Sequence, residues 1–232
     1  MENQRIVTTG AEASVSGFMS RVFLWMAGGL VVSTLGSLWL LSQPGLLAAV
    51  VKNQWIFFGL IIAELGLVIW LSAAAMSLSA GAATLIFLAY SFLNGVTLSP
   101  LFLVYTGNSI ATTFGVTAGT FFFFALFGLT TKRDLTSMGG LMMMGLIGVI
   151  LASLVNVFLK SSGLDWVITF IAIAVFMGLI AYDTQRLKAM HAMGSDNPAM
   201  EKKMVILGAL ALYLDFINLF IQLLRIFGKR RD

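Results

Sequence analysis

Seven runs of apolar residues, each near the ~20 residues a helix needs to cross the hydrocarbon core of a bilayer, leave this chain little choice of fold. They cover roughly Phe18–Leu41, Trp55–Leu71, Gly81–Val104, Ile110–Thr130, Met138–Leu159, Trp166–Arg186 and Met204–Phe227. Lipid offers no hydrogen bonds, so a spanning segment must satisfy its backbone as a helix or within a closed barrel. Barrel strands alternate polar and apolar residues over about ten positions; these runs do not alternate. The expected fold is all-α, a polytopic membrane protein of seven transmembrane helices. The composition agrees: 59% of the 232 residues are hydrophobic and 10% charged, with mean hydropathy +0.97, where a soluble domain carries about a quarter charged residues. The runs leave a polar N-terminal tail over 1–20, a single transmembrane domain over 21–228 and a basic tail over 229–232.

The same pattern excludes several function classes. The net charge of +4 comes from basic residues in loops and tails, where they set topology rather than bind nucleic acid. There is no cysteine, and the single histidine, His191, falls in a polar loop drawn over 187–203, so a zinc site would lack ligands. That loop holds Gly194, Ser195, Asp196, Asn197 and Pro198, all turn formers. The first apolar run has the length of a span rather than of a cleavable signal's core, and reads as a retained helix.

Small residues mark packing faces: Gly29, Ser33 and Ser37 in the first run, Gly115 and Gly119 in the fourth, each at four-residue steps. Packing within the chain is the simpler reading, dimerisation the alternative. Pro100, near Asn94, Thr97 and Ser99, predicts a bend in the third helix. Sidedness stays open. Arg5, Arg21, Lys132, Arg133, Arg186, Lys188, Lys202 and Lys203 share one side, with Lys52 and Lys160 opposite. The positive-inside rule makes the first side cytoplasmic. Arg225, Lys229, Arg230 and Arg231 join it if the last helix re-enters, and oppose it if that helix spans.

Three acidic residues lie inside apolar runs: Glu64, Asp183 and Asp215. Ionisable groups at that depth face the bundle interior and mark ion paths, proton relays or ligand sites. Asp215 shares a stripe with Gly208, Ala211, Asn218, Gln222 and Arg225, at steps of three and four that keep them on one helix face. Leu, Ile and Phe occupy the other face, as expected of a central helix; a purely structural polar network is the plain alternative. Asp183 has Arg186 one turn away, and a snorkelling pair at a helix end would explain it equally. Glu64 has no basic residue near it in sequence, and a glutamate bonded between two helices is its structural reading. Two carboxylates brought close in a low dielectric cannot readily both be ionised, and titrate as a unit. Such a pair suits a pH sensor or an aspartyl hydrolase.

The segments "ELGLVIWLSA", "TTKRDLTSMG", "GLIAYDTQRLK" and "LGALALYLDFINLFIQLLRIFG" resemble the Bax inhibitor family of membrane proteins, in its bacterial inner-membrane branch, over nearly the whole chain. The resemblance implies a seven-helix fold with the C-terminal helix surrounded by the other six. It implies a pH-sensitive calcium leak controlled by a di-aspartyl pair, mapped here to Asp183 and Asp215, with Glu64 as the second-helix glutamate. Asp183, Asp215 and Glu64 are then the candidate calcium-contacting residues, and Arg186, Asn218 and Gln222 candidates for the ion path or gate. One feature departs. Some members carry an arginine late in the second helix that latches the sixth-helix aspartate, and "LSAAAMSLSA" has none. Either Arg186 takes that role or the closed state is held differently.

The leading expectation is a pH-regulated cation path, with calcium as the transported ion and no cofactor, in the cytoplasmic membrane of a bacterium. Its partners would be the lipid bilayer and the cation. A non-transporting regulator that binds membrane proteins, such as a quality-control protease, is the alternative the resemblance permits. An intramembrane aspartyl protease fits less well. Tyr182-Asp183 matches one motif of such enzymes, but Leu212-Tyr213-Leu214-Asp215 stands where Gly-x-Gly-Asp is required, and no Pro-Ala-Leu follows. The chain is therefore read as not an enzyme.

Overall fold

The computed structural model describes residues 2–74, 77–193 and 197–231, with side chains from Ser14 onward. The turn formers Gly194, Ser195 and Asp196 lie outside the described residues. The helices are α1 Glu2–Leu41, α2 Pro44–Lys52, α3 Gln54–Ala73, α4 Ala80–Leu98, α5 Leu101–Val104, α6 Gly107–Thr130, α7 Thr136–Leu159, α8 Ser162–Ala192 and α9 Pro198–Phe227. Seven segments are long and apolar enough to span: Ser14–Leu41, Gln54–Ala73, Ala80–Val104, Gly107–Thr130, Thr136–Leu159, Ser162–Ala192 and Pro198–Phe227. The protein is an all-α polytopic membrane protein.

The polar N-terminal residues are helical from Glu2 and continue into the first span. Three sequence expectations are corrected. The loop drawn from residue 187 begins later, because α8 runs on to Ala192, which puts His191 in its last turn. Its Nε2 lies 2.9 Å from Ser14 Oγ, and its ring stacks on Phe18 at 4.5 Å between centroids. Pro100 breaks its helix rather than bending it: α4 ends at Leu98 and α5 begins at Leu101. Proline has no N–H to return to the Val96 carbonyl, and Ser99 supplies its hydroxyl (2.8 Å) and backbone N–H (3.2 Å) instead. Finally, Gly115 and Gly119 are exposed with nothing packed on them, so that pair is not a packing face within the chain.

Contacts gather the chain into two compact units. The first comprises Met1–Val104 and Met190–Tyr213, the second Tyr105–Ala189 and Leu214–Asp232. In the first, the small face of α1 meets α4 as its spacing predicts. Ser33 Oγ reaches Ser91 O (2.8 Å) and Ser37 Oγ reaches Gly95 O (2.6 Å). A Cβ on Gly95 would collide with the Ser33 carbonyl, so the backbones touch and only glycine fits. The short α2, with Pro44 in its first turn, buries Val50 against Leu40 and Val96. Arg21 on α1 is ion-paired to Glu201 in the first turn of α9.

In the second unit, α6 and α8 approach closely where a Cβ on Gly128 would strike the Ala181 carbonyl. Phe216 on α9 packs edge-on against Phe114 and Phe121 of α6. Arg225 in the last turn of α9 pairs at 3.0 Å with Asp165 in the first turn of α8, each at the helix end whose dipole favours its charge. The chain after α9 returns to the start of α6: Thr106 N donates to Lys229 O (3.0 Å) and Lys229 N to Ser109 Oγ (2.8 Å). Thus α9 ends where α6 and α8 begin, as seven alternating spans require.

Burial ranks the spans. Only 6% of the α7 window is buried against 67% for α9, and α7 turns Met144, Leu154 and Phe158 outward as a lipid-facing helix does. On α9, Leu212, Tyr213, Phe216, Leu219 and Leu224 are as buried as Asp215. The apolar face expected to lie opposite the polar stripe is therefore interior too. The helix α9 runs unbroken over 30 residues, ~45 Å at 1.5 Å per residue, which is long enough to span.

Candidate functional site: two buried carboxylate clusters

Asp215 sits midway along α9 because a Leu-, Ile- and Phe-rich helix carries it into the second unit's interior. The residue is 5% exposed, and its Oδ2 is buried without any hydrogen-bond partner. The charge that bears on it is that of Asp183 on α8, half-buried and in the same unit. The two aspartates that the sequence singled out thus share the second unit, and Asp215 Oδ2 has no protein donor. Arg186, one turn along α8, is exposed; it acts on Asp183 through its charge, with no direct ion pair between them.

The two amides assigned to the same path behave differently. Asn218 turns its Nδ2 back to the Leu214 carbonyl of its own helix at 2.8 Å. Gln222, two turns from Asp215, keeps its Oε1 buried and unpartnered. Arg225 leaves the stripe for Asp165. Among the described residues no group of three or more His, Cys, Asp or Glu is placed to hold a metal ion. Of the candidate calcium-contacting residues, Asp183 and Asp215 belong to the second unit and Glu64 to the first, where it has a partner of its own.

Residues that the sequence reading passed over anchor the helix of Asp183. Gln185, two positions on, accepts from Leu135 N (2.8 Å) and donates to the Arg133 carbonyl (2.8 Å). Lys188 donates to the Leu129 carbonyl at the end of α6 (2.7 Å). The segments "TTKRDLTSMG" and "GLIAYDTQRLK" are thus joined by side-chain to main-chain bonds. Asp134 completes the loop. Its Oδ1 accepts from the Thr136 hydroxyl (2.6 Å) and backbone N–H (2.9 Å), and these bonds hold its carboxyl below the usual carboxylate range. Polar residues at helix ends are common, so spacing alone carried no signal for Gln185 or Lys188.

Glu64 heads a second network in the first unit. It is 9% exposed on α3, and its Oε2 accepts from Asn94 Nδ2 of α4 at 3.2 Å. Asn94 Oδ1 in turn accepts from the Tyr213 hydroxyl (2.8 Å), which lies 2.6 Å from Ser33 Oγ. Four helices are tied by one chain of neutral groups ending on a carboxylate, with Glu64 Oε1 left unpartnered. This matches the structural expectation for Glu64, a glutamate bonded between helices.

Comparison with known proteins gives one family. The family described as Inhibitor of apoptosis-promoting Bax1 matches residues 15–232. The inner membrane protein YbhL of Escherichia coli K12 is 49% identical over 220 residues, 94% of each chain. An uncharacterized protein of Borreliella burgdorferi is 43% identical over 215 residues, 93% of each chain. An uncharacterized membrane protein of Streptococcus pyogenes is 36% identical over 229 residues, 98% of this chain and 99% of the relative.

Proposed function

We propose that this chain, which belongs to the Bax inhibitor family of membrane proteins, is a pH-sensitive leak path for a cation, with calcium as the ion carried. Its place would be the bacterial inner membrane, where the name of its Escherichia coli relative puts that protein. The observation that carries this reading is the Asp215 carboxylate, buried within reach of the Asp183 charge and with no hydrogen-bond donor to its Oδ2. A buried charge in that state is costly unless a proton or a cation offsets it. Protonation and cation occupancy then compete for the same oxygens.

The pair offers too few oxygens to be a storage site, since calcium completes its shell with six to eight. Water would supply the rest, which suits an ion in transit. Loading a proton removes a charge between α8 and α9 in the second unit and changes what their packing must accommodate. Because Gln185 and Lys188 fasten α8 to the 131–135 loop and to the end of α6, any shift of α8 reaches that loop. Arg186 would tune the pair through its charge on Asp183, in place of the absent second-helix arginine. The reading assigns no catalytic residue.

The test is calcium flux into liposomes holding the purified protein, across about pH 5–8, the range in which shifted carboxylate pairs titrate. Flux that varies with pH in the wild type, and loses that variation in Asp215→Asn, supports the proposal. Flux equal to that of empty vesicles at every pH overturns it and leaves the regulator that binds membrane partners.

A further inference from the structure

Among the described residues, the buried side-chain oxygens without a hydrogen-bond partner are Glu64 Oε1, Asp215 Oδ2 and Gln222 Oε1. The function proposed above uses Asp215 and leaves Gln222 unexplained. Both stand on α9 in the second unit, seven residues apart. Seven residues are two turns, ~10 Å along the axis with ~20° of drift around it, so the two side chains leave the helix on one line. We infer that the cation path of the proposed function, on which this inference rests, continues along that line as a hydrated track, with Gln222 as its second oxygen and the Arg225–Asp165 ion pair at its mouth.

The line keeps one neighbour. At one end Asp215 feels the charge of Asp183, and at the other Arg225 reaches Asp165 at 3.0 Å. Both partners stand on α8, so both ends of the stripe face that helix. Asn218 lies between Asp215 and Gln222. It commits its Nδ2 to the Leu214 carbonyl (2.8 Å) and keeps its Oδ1 as an acceptor. Asp215, Asn218 and Gln222 thus follow at steps of four and three as a ladder of acceptors. Arg225 and Asp165 are both exposed, so the ladder runs from the interior to the surface.

The chemistry of Gln222 differs from that of Asp215. A buried oxygen without a donor is costly and is ordinarily paired. A proton relieves a carboxylate, but an amide does not ionise. Water relieves Gln222, and so does a cation, because amide carbonyls are among the oxygens that calcium takes. A neutral oxygen two turns beyond a carboxylate holds a cation weakly, as conduction through successive sites requires. Leu224, two residues from Gln222 and on the other side of α9, is 1% exposed and enclosed by protein. Hydration confined to the stripe is what separates a track from a loosely packed helix.

The chain has no cysteine, so a single introduced thiol reports on its own position. The experiment places Gln222→Cys, and Leu224→Cys as the control at the same depth, in liposomes and follows reaction with a cationic, water-soluble thiosulfonate added on both sides. Full reaction of both after unfolding in SDS shows that each thiol is competent. Gln222→Cys should react at least about tenfold faster than Leu224→Cys, since reaction needs access to water. Adding Arg225→Gln should raise that rate several-fold with the cationic reagent and lower it with an anionic one, because the mouth loses a positive charge. Equal rates for Gln222→Cys and Leu224→Cys overturn the inference. So does a rate indifferent to Arg225→Gln, which would put the mouth elsewhere. The proposed function fails separately: absence of calcium flux in the wild type strikes that function and leaves a reactive Gln222→Cys as evidence of the hydrated track, whereas flux with an unreactive thiol strikes the track alone.

Discussion

The two buried carboxylates live in opposite surroundings. Glu64 in the first unit is held by Asn94, and through it by Tyr213 and Ser33. Asp215 in the second unit has Asp183 for company and no donor on its Oδ2. A carboxylate with bonded neutral neighbours acts as a brace, because removing one group takes a partner from the next in the chain. A carboxylate without them is left to exchange its proton or take a cation. Two acids in similar apolar sequence thus differ in what holds them, and only the second is assigned work by the proposed function.

Breaking the brace should have the largest effect. Asn94→Leu removes the partner that Glu64 and Tyr213 share; Tyr213 keeps Ser33, so the loss comes chiefly from the orphaned Glu64 carboxylate and should be about 1–3 kcal/mol. Thermal unfolding in detergent would show it as a marked fall in Tm, while Asp215→Asn should leave Tm nearly unchanged. Equal destabilisation by the two would erase the contrast. The smallest effect belongs to Asp134, whose carboxyl sits below the usual range because Thr136 donates to it twice. A depressed pKa stabilises above the ordinary carboxylate value, and that contribution is lost as pH falls through the lowered one. Hydrogen exchange at the start of α7 should therefore rise in acid in the wild type, and the rise should be absent in Asp134→Asn.

The parts legible in the sequence were those that depend on one dimension. Seven spans follow from apolar length, and the α1–α4 contact from the step of Gly29, Ser33 and Ser37. Asp183 and Asp215 stood out because ionisable groups are rare in apolar runs. What escaped depends on three dimensions or on polar sequence. Helices that continue outside the apolar runs, at Glu2 and Ala192, carry no hydropathy signal. The Pro100 break depended on Ser99 taking over the Val96 carbonyl. The stripe on α9 was read as an inside and an outside; periodicity reports a difference of polarity between faces, not of exposure, and protein covers both. The Asn94–Tyr213–Ser33 chain needed separate helices to meet, which no local spacing announces.

The central claim is that Asp183 and Asp215 share one titration. The measurement nearest to it is an infrared pH titration of the carboxyl C=O stretch in reconstituted protein, comparing wild type with Asp183→Asn and Asp215→Asn. The account predicts a buried-carboxyl band in the wild type whose midpoint moves when either aspartate is replaced. A band that keeps its midpoint in one variant, and simply vanishes in the other, would show a single independent acid and contradict it.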